Sequence, residues 1–93
     1  MPWQGSRKFE YNLLAIVQYA PVRSGIYVIY ASDTRVYIGE SSNVEASLLQ
    51  HHNGDDLPIR RYRLTHFAFE LMPAKARAAR QRELIAEFKP VCN

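Results

Sequence analysis

Residues 25–39 read GIYVIYASDTRVYIG, and this stretch decides the fold. Gly25-Ile26-Tyr27 and Tyr37-Ile38-Gly39 stand at its two ends in near mirror order, around a polar break. GIYVIY is almost entirely β-branched or aromatic, which is the composition of a central strand covered on both faces. Ala31 to Thr34 is rich in turn formers, and VYIG then resumes the strand pattern. Residues 25–39 therefore predict a β-hairpin. With the turn centred near Asp33, Tyr27 and Tyr37 fall opposite or diagonal to each other and reach the same side of the sheet. Two such tyrosines make an ordinary cross-strand aromatic pair. Two phenols over one face can also orient a water or a phosphate oxygen.

Upstream of the hairpin, FEYNLLAIVQYA places Phe9, Leu13, Ile16, Val17 and Ala20 at helical spacing. Residues 9–20 read as an amphipathic helix that Pro21 stops. Downstream, Ser42-Asn43-Val44-Glu45 reads as a capping box with its hydroxyl at Ser42. The helix it opens runs to about His52, and Asn53-Gly54 ends it in the left-handed manner. HFAFEL sets Phe67, Phe69 and Leu71 on one face and predicts a third strand. Pro73 opens a last helix over about 73–88, and Lys89-Pro90 closes it. The order helix, strand, strand, helix, strand, helix is that of an α+β domain: a three-stranded antiparallel-type sheet flanked by helices. One domain covers residues 1–93, with residues 1–24 as an N-terminal extension and helix and residues 25–93 as the core.

The chain has 93 residues, about half of them hydrophobic, enough for one modest core and too many for disorder. A net charge of +3 permits nucleic-acid contact without demanding it. The arginines cluster at Arg60, Arg61 and Arg63, with Tyr62 interleaved, and recur over Lys75, Arg77, Arg80 and Arg82. Such clusters suit a solvated face or phosphate-backbone contact. The single cysteine, Cys92, precludes an internal disulfide and suits a reducing compartment, with the cytoplasm expected. The first residues lack an apolar leader, and no apolar run approaches the roughly 20 residues that span a bilayer.

Gly39 ends a strand just before a capped helix, a place where a ligand or backbone can come close. The free N–H groups opening that helix form a candidate phosphate seat. GIY, then YIG, then a helix with a histidine near its end, then a last helix and the tail KPVCN (Lys89 to Asn93) resemble the GIY-YIG nuclease superfamily over residues 25–93. The resemblance implies a compact sheet that holds one divalent metal, magnesium or manganese, and cleaves a DNA phosphodiester. It implies that Tyr27 and Tyr37 flank the reacting water, with Tyr37 as general base, and that Asn93 supports the site with hydrogen bonds. An unperturbed phenol has a pKa near 10, so that role needs a cation or metal nearby.

The chain departs from the family pattern at two positions. Where the resemblance implies a phosphate-steadying arginine stands Ser47, with no charge and no bidentate fork. One turn on, His51 matches a histidine of some members and can position a phosphate oxygen or relay a proton. It also suits the negative end of its helix. Where the resemblance implies a metal-binding glutamate stands Gln81, whose amide is a poor ligand for a hard cation. Ala74, Ala78, Gln81, Ile85 and Phe88 recur at helical spacing, which places Gln81 on the inward seam. Glu83 lies about 200° further round, on a wet face with Arg80 and Glu87. A glutamine in an apolar seam needs a partner, expected among Tyr27, Tyr37 and His51. Three main readings follow, with chemistry on another phosphate ester in the same pocket as a minor fourth. The first is a nuclease-like domain that binds nucleic acid, DNA before RNA, through Gly39, Arg60, Arg61, Arg63 and Arg77 but cuts poorly, with or without a metal. The second is an active metal-dependent endonuclease. The third is an interaction or homodimerisation domain using helix 9–20, with no membrane contact in any of the three.

Overall fold

The structure is a computed structural model and describes residues 3, 7–54, 59 and 61–93. Among these the elements run β1 (Phe9–Glu10), α1 (Leu13–Tyr19), β2 (Gly25–Ala31), β3 (Thr34–Ser41), α2 (Val44–Asn53), β4 (His66–Leu71) and α3 (Ala74–Phe88). The strands form one antiparallel sheet in the order β1-β4-β2-β3. β2 is central and buried from Gly25 to Tyr30, as its unbroken apolar run requires. Its alternate side chains divide the core. Tyr27 and Ile29 pack with Ile16, Leu48 and Phe67 under α1 and α2. Ile26, Val28 and Tyr30 pack with Ile38 and Leu84 under α3, and Trp3 leans on that second cluster. No helix among the described residues is long and apolar enough to cross a membrane.

The α+β class and the hairpin stand as read, while several details differ. The sheet has four strands rather than three because Phe9–Glu10, expected as helix, pairs with Phe67 and His66 of β4. Asn12 sets the true helix start: its side-chain oxygen accepts from Ala15 N at 2.8 Å, an N-cap that leaves the residues before it extended. Phe9 then stacks on Phe67 and Tyr19, ring centroids 5.4 and 4.8 Å away. α2 is likewise capped one residue later than expected, by Asn43, whose side chain accepts from Ala46 N at 3.0 Å. Gly54 ends that helix in extended backbone, φ −97° and ψ −177°, not left-handed. The left-handed cap occurs on α3 instead, at Lys89 (φ 49°).

The largest departure concerns Arg80. It is not on a wet face but 6% exposed, against a Glu70 that is also 6% exposed. Arg80 Nε donates to Glu70 Oε1 at 2.7 Å and Nη2 to Oε2 at 3.1 Å, a bidentate pair, and Nη1 reaches Glu83. These bonds to Glu70, outweighing burial, hold the guanidinium above its ordinary pKa. Ala74 and Ala78, expected inside, are exposed, and Leu84 is the apolar residue that α3 buries fully. The long Arg80 stem fills space that an alanine seam leaves open.

Within the hairpin, Tyr27 pairs with Gly39 and Ile29 with Tyr37, so the two tyrosines are diagonal on one face. A Cβ at Gly39 would lie 2.2 Å from Tyr27 Cζ. The Tyr27 ring fills the space above the glycine and is 3% exposed, so it has little room to yield.

Two stability outcomes follow. Gly39→Ala displaces the Tyr27 ring and is expected to cost about 1–3 kcal/mol, an overpacking penalty measurable by denaturant unfolding. Glu70→Gln leaves a buried guanidinium poorly compensated and is expected to cost about 3–5 kcal/mol, whereas Glu70→Leu with Arg80→Leu recovers most of that loss. Thermal unfolding of the two variants, read side by side, checks the order.

Candidate functional site

Three side chains meet on the α2 face of the hairpin. Tyr27 and Tyr37 project from β2 and β3 with ring centroids 6.1 Å apart. His51 comes from the last turn of α2. That helix is held at its start by two backbone bonds, Val44 N to Arg23 O and Glu45 N to Pro21 O, each 3.0 Å. Leu48 is buried against the sheet, and His51, three residues on, falls on the same helix face. Tyr27 Oη lies 2.7 Å from His51 Nε2. The Tyr37 ring meets the His51 ring edge-on, centroids 5.3 Å apart. With the Nε2 lone pair facing the phenol, Tyr27 donates; with Nε2 protonated, Tyr27 accepts. The pair can therefore pass a proton between a phenol and an imidazole.

Tyr11 and His52 adjoin this floor. The Tyr11 hydroxyl donates to Leu48 O at 3.5 Å, and its ring is 5.5 Å from that of His52. Burial pushes the Tyr11 phenol well above its ordinary pKa. Sequence reasoning did not connect Tyr11 with the site because it placed the residue inside a helix. The asparagine at 12, a strong N-cap type, was the available signal.

Ser47 lies one turn before His51 and belongs to a closed hydroxyl chain. Its Oγ donates to Ser41 Oγ at 2.6 Å, and Ser41 Oγ donates to Asn43 O at 2.7 Å and accepts from Asn43 N at 2.9 Å. This chain braces the start of α2 and brings no charge to position 47.

Gln81 and Asn93 meet at the outer edge of β3, on the backbone of Ile38. Ile38 N donates to Asn93 Oδ1 at 2.7 Å, and Asn93 Nδ2 returns a bond to Ile38 O at 3.0 Å. Gln81 Nε2 donates to the same carbonyl at 3.0 Å. The partner of Gln81 is thus a backbone carbonyl, not the expected Tyr27, Tyr37 or His51. The reason is geometric: α3 packs on the opposite face of the sheet, and from there Gln81 reaches the edge of β3. The chain after α3 follows that edge, with Val91 N donating to Arg35 O and Cys92 N to Val36 O.

The donors gathered here are amides, phenols, hydroxyls and an imidazole. Glu40, further along β3, is engaged by Arg77 at 3.5 Å. Among the described residues no three histidine, cysteine, aspartate or glutamate side chains converge to hold a metal ion. A hard divalent cation prefers carboxylate and carbonyl oxygens, so this set does not fit one.

The basic residues divide. Arg61 and Arg63 are exposed, with Tyr62 exposed between them. Arg60 lies outside the described residues. Arg77 is half-buried; it donates to Ser24 Oγ at 3.1 Å and faces Glu40. Gly39 is buried under Tyr27.

No family model and no curated protein matches the chain by sequence. Solved structures do match it. The magnesium-bound GIY-YIG N-terminal endonuclease domain of UvrC from Thermotoga maritima superposes with a TM-score of 0.70 at 19% identity, covering 84% of this chain and 94% of that one. A tyrosine-to-phenylalanine variant of that domain, bound to its catalytic divalent cation, gives the same score at 19% identity over 84% and 93% of the two chains. An asparagine-to-alanine variant gives 0.68 at 18% over 82% and 91%. At these identities the likeness establishes architecture: the chain has the fold of the GIY-YIG endonuclease domain.

Proposed function

We propose that this chain is a GIY-YIG-type domain that binds nucleic acid, DNA in the first instance, and cleaves it poorly. One observation carries the reading. Both positions at which the resemblance calls for charge are neutral and already hydrogen-bonded within the protein, Ser47 to Ser41 and Gln81 to Ile38. Meanwhile the aromatic floor of Tyr27, Tyr37 and His51 is assembled. A floor of this kind can still hold a phosphate oxygen by hydrogen bonds. It lacks the guanidinium that would stabilise charge developing on phosphorus and a carboxylate to fix a metal there. Exposed Arg61 and Arg63 around Tyr62 suit backbone contact and stacking.

The UvrC domain is named for endonuclease activity and holds a divalent cation. A magnesium- or manganese-dependent activity here would require position 81 to be re-equipped. Glutamate at 81 could not donate to Ile38 O, so Gln81→Glu exchanges an edge bond for a ligand.

Gel-shift titrations over a range of salt should give affinity for a short DNA duplex that falls steeply as salt rises. Plasmid nicking by the parent with magnesium or manganese should be barely measurable. The Ser47→Arg, Gln81→Glu double variant should nick at least about 100-fold faster, and adding Tyr37→Phe should abolish the gain. A parent that cuts as fast as the double variant would show that cleavage is not impaired. No DNA affinity even at low salt would leave the fold without a nucleic-acid role.

A further inference from the structure

The geometry points to the outer face of α1 as the surface through which this chain binds a second copy of itself, about a two-fold axis. This inference is independent of the reaction the domain performs.

α1 reads LLAIVQY and is apolar almost all round. Ala15 and Ile16 face the core, yet Leu13, Leu14 and Val17 are 53%, 75% and 55% exposed, and Val22 just beyond is 65% exposed. Leu13, Val17 and Leu14 span about 100° of the helix surface, a full apolar stripe turned outward. A helix with two such stripes belongs between two layers, and the described residues supply one.

The charge distribution selects the occupant. Residues 13–22 contain no charged side chain, although the chain carries 12 lysines and arginines and 9 aspartates and glutamates. Residues 13–22 themselves offer a nucleic acid no cation. Two like-charged copies, each at +3, repel least where their surfaces are neutral.

The face also contains its own complement, as a two-fold contact requires. Leu14 forms one wall of a hollow of about 370 Å³ whose floor is shared by apolar Phe9, Ala15 and Tyr19 and polar Asn12 and Gln18. The Leu14 knob of one copy can enter the hollow of the other. The rim carries both signs, Arg7 and Lys8 against Glu10, so Glu10 of one copy can meet a cation of the other across the axis. A specific interface needs about 1,000 Å² of buried surface, and Leu13, Leu14, Val17, Tyr19 and Val22, each between 43% and 75% exposed, are the large apolar side chains on offer to supply it.

Sedimentation equilibrium of the full chain tests this. The apparent mass should rise from one chain towards two across the micromolar range. Leu14→Glu and Val17→Asp, both at exposed positions, should keep the thermal midpoint of the parent at low concentration and weaken self-association at least tenfold. A parent that stays monomeric at every concentration overturns the proposal. So does a folded Leu14→Glu chain that self-associates as tightly as the parent. Binding of the monomer to phosphatidylcholine vesicles, lost in Leu14→Glu, would assign the face to a lipid surface instead and overturn it too.

Discussion

The backbone of Ile38, its N–H and its C=O, is the point on which the hairpin, the last helix and the tail depend together. β3 is an outer strand, and its free edge presents unpaired backbone groups. Asn93 clasps both the N–H and the C=O of Ile38, and Gln81 adds a second donor to that carbonyl. Val91 and Cys92 extend the closure to Arg35 and Val36. The edge is thus sealed by a segment that the left-handed Lys89 turns back towards it. A backbone carbonyl can accept two hydrogen bonds, and two amides provide them. This explains how a glutamine can sit stably where a charged ligand would need a cation to balance it.

The sheet separates two kinds of chemistry. Its α1 and α2 face gathers groups that can exchange or hold protons: Tyr27, Tyr37, His51 and, at the margin, Tyr11 and His52. Its α3 face holds fixed charge, with Arg80 clamped on Glu70 and Arg35 lying 3.9 Å over the Phe88 ring. The turn sets Arg35 opposite Tyr30, and a bulge beyond them in the β2–β3 register skips Val36, so Arg35 and Tyr30 sit on the α3 side while Tyr37 sits on the other. Gln81 and Asn93 work at the seam between the two faces, where α3 can reach the edge of β3.

Much of this was legible because strand alternation is strict. The composition of β2 forced it to the centre, but the shared face of Tyr27 and Tyr37 rests on the bulge between Ile29 and Tyr30, because the Ala31–Thr34 pairing continued without it would set Tyr37 opposite Val28. What escaped were long-range choices between local options. A two-residue strand at Phe9 leaves no periodicity, and only its pairing with β4 reveals it. Arg80 was assigned to solvent because apolar spacing has no place for a buried cation. Glu70 alternates with Phe67 and Phe69 and so faces α3, which was the available clue. The partner of Gln81 is a main-chain atom 43 residues away, and no side-chain pattern encodes it. The positions of Ser47, His51 and Asn93 came from family resemblance and not from spacing.

Trp3, the single tryptophan of the chain, rests on the Ile26, Val28 and Leu84 cluster and not on the cluster under α1 and α2. Its fluorescence is therefore a reporter built into one side of the sheet. Emission should follow the loosening of α3, while events around Tyr27 and His51 leave it nearly silent. Tyrosine absorbance, weighted towards the other face by Tyr11, Tyr19, Tyr27 and Tyr37, offers the complementary signal. Comparing the two optical transitions would reveal whether the halves of this small core melt as one cooperative unit.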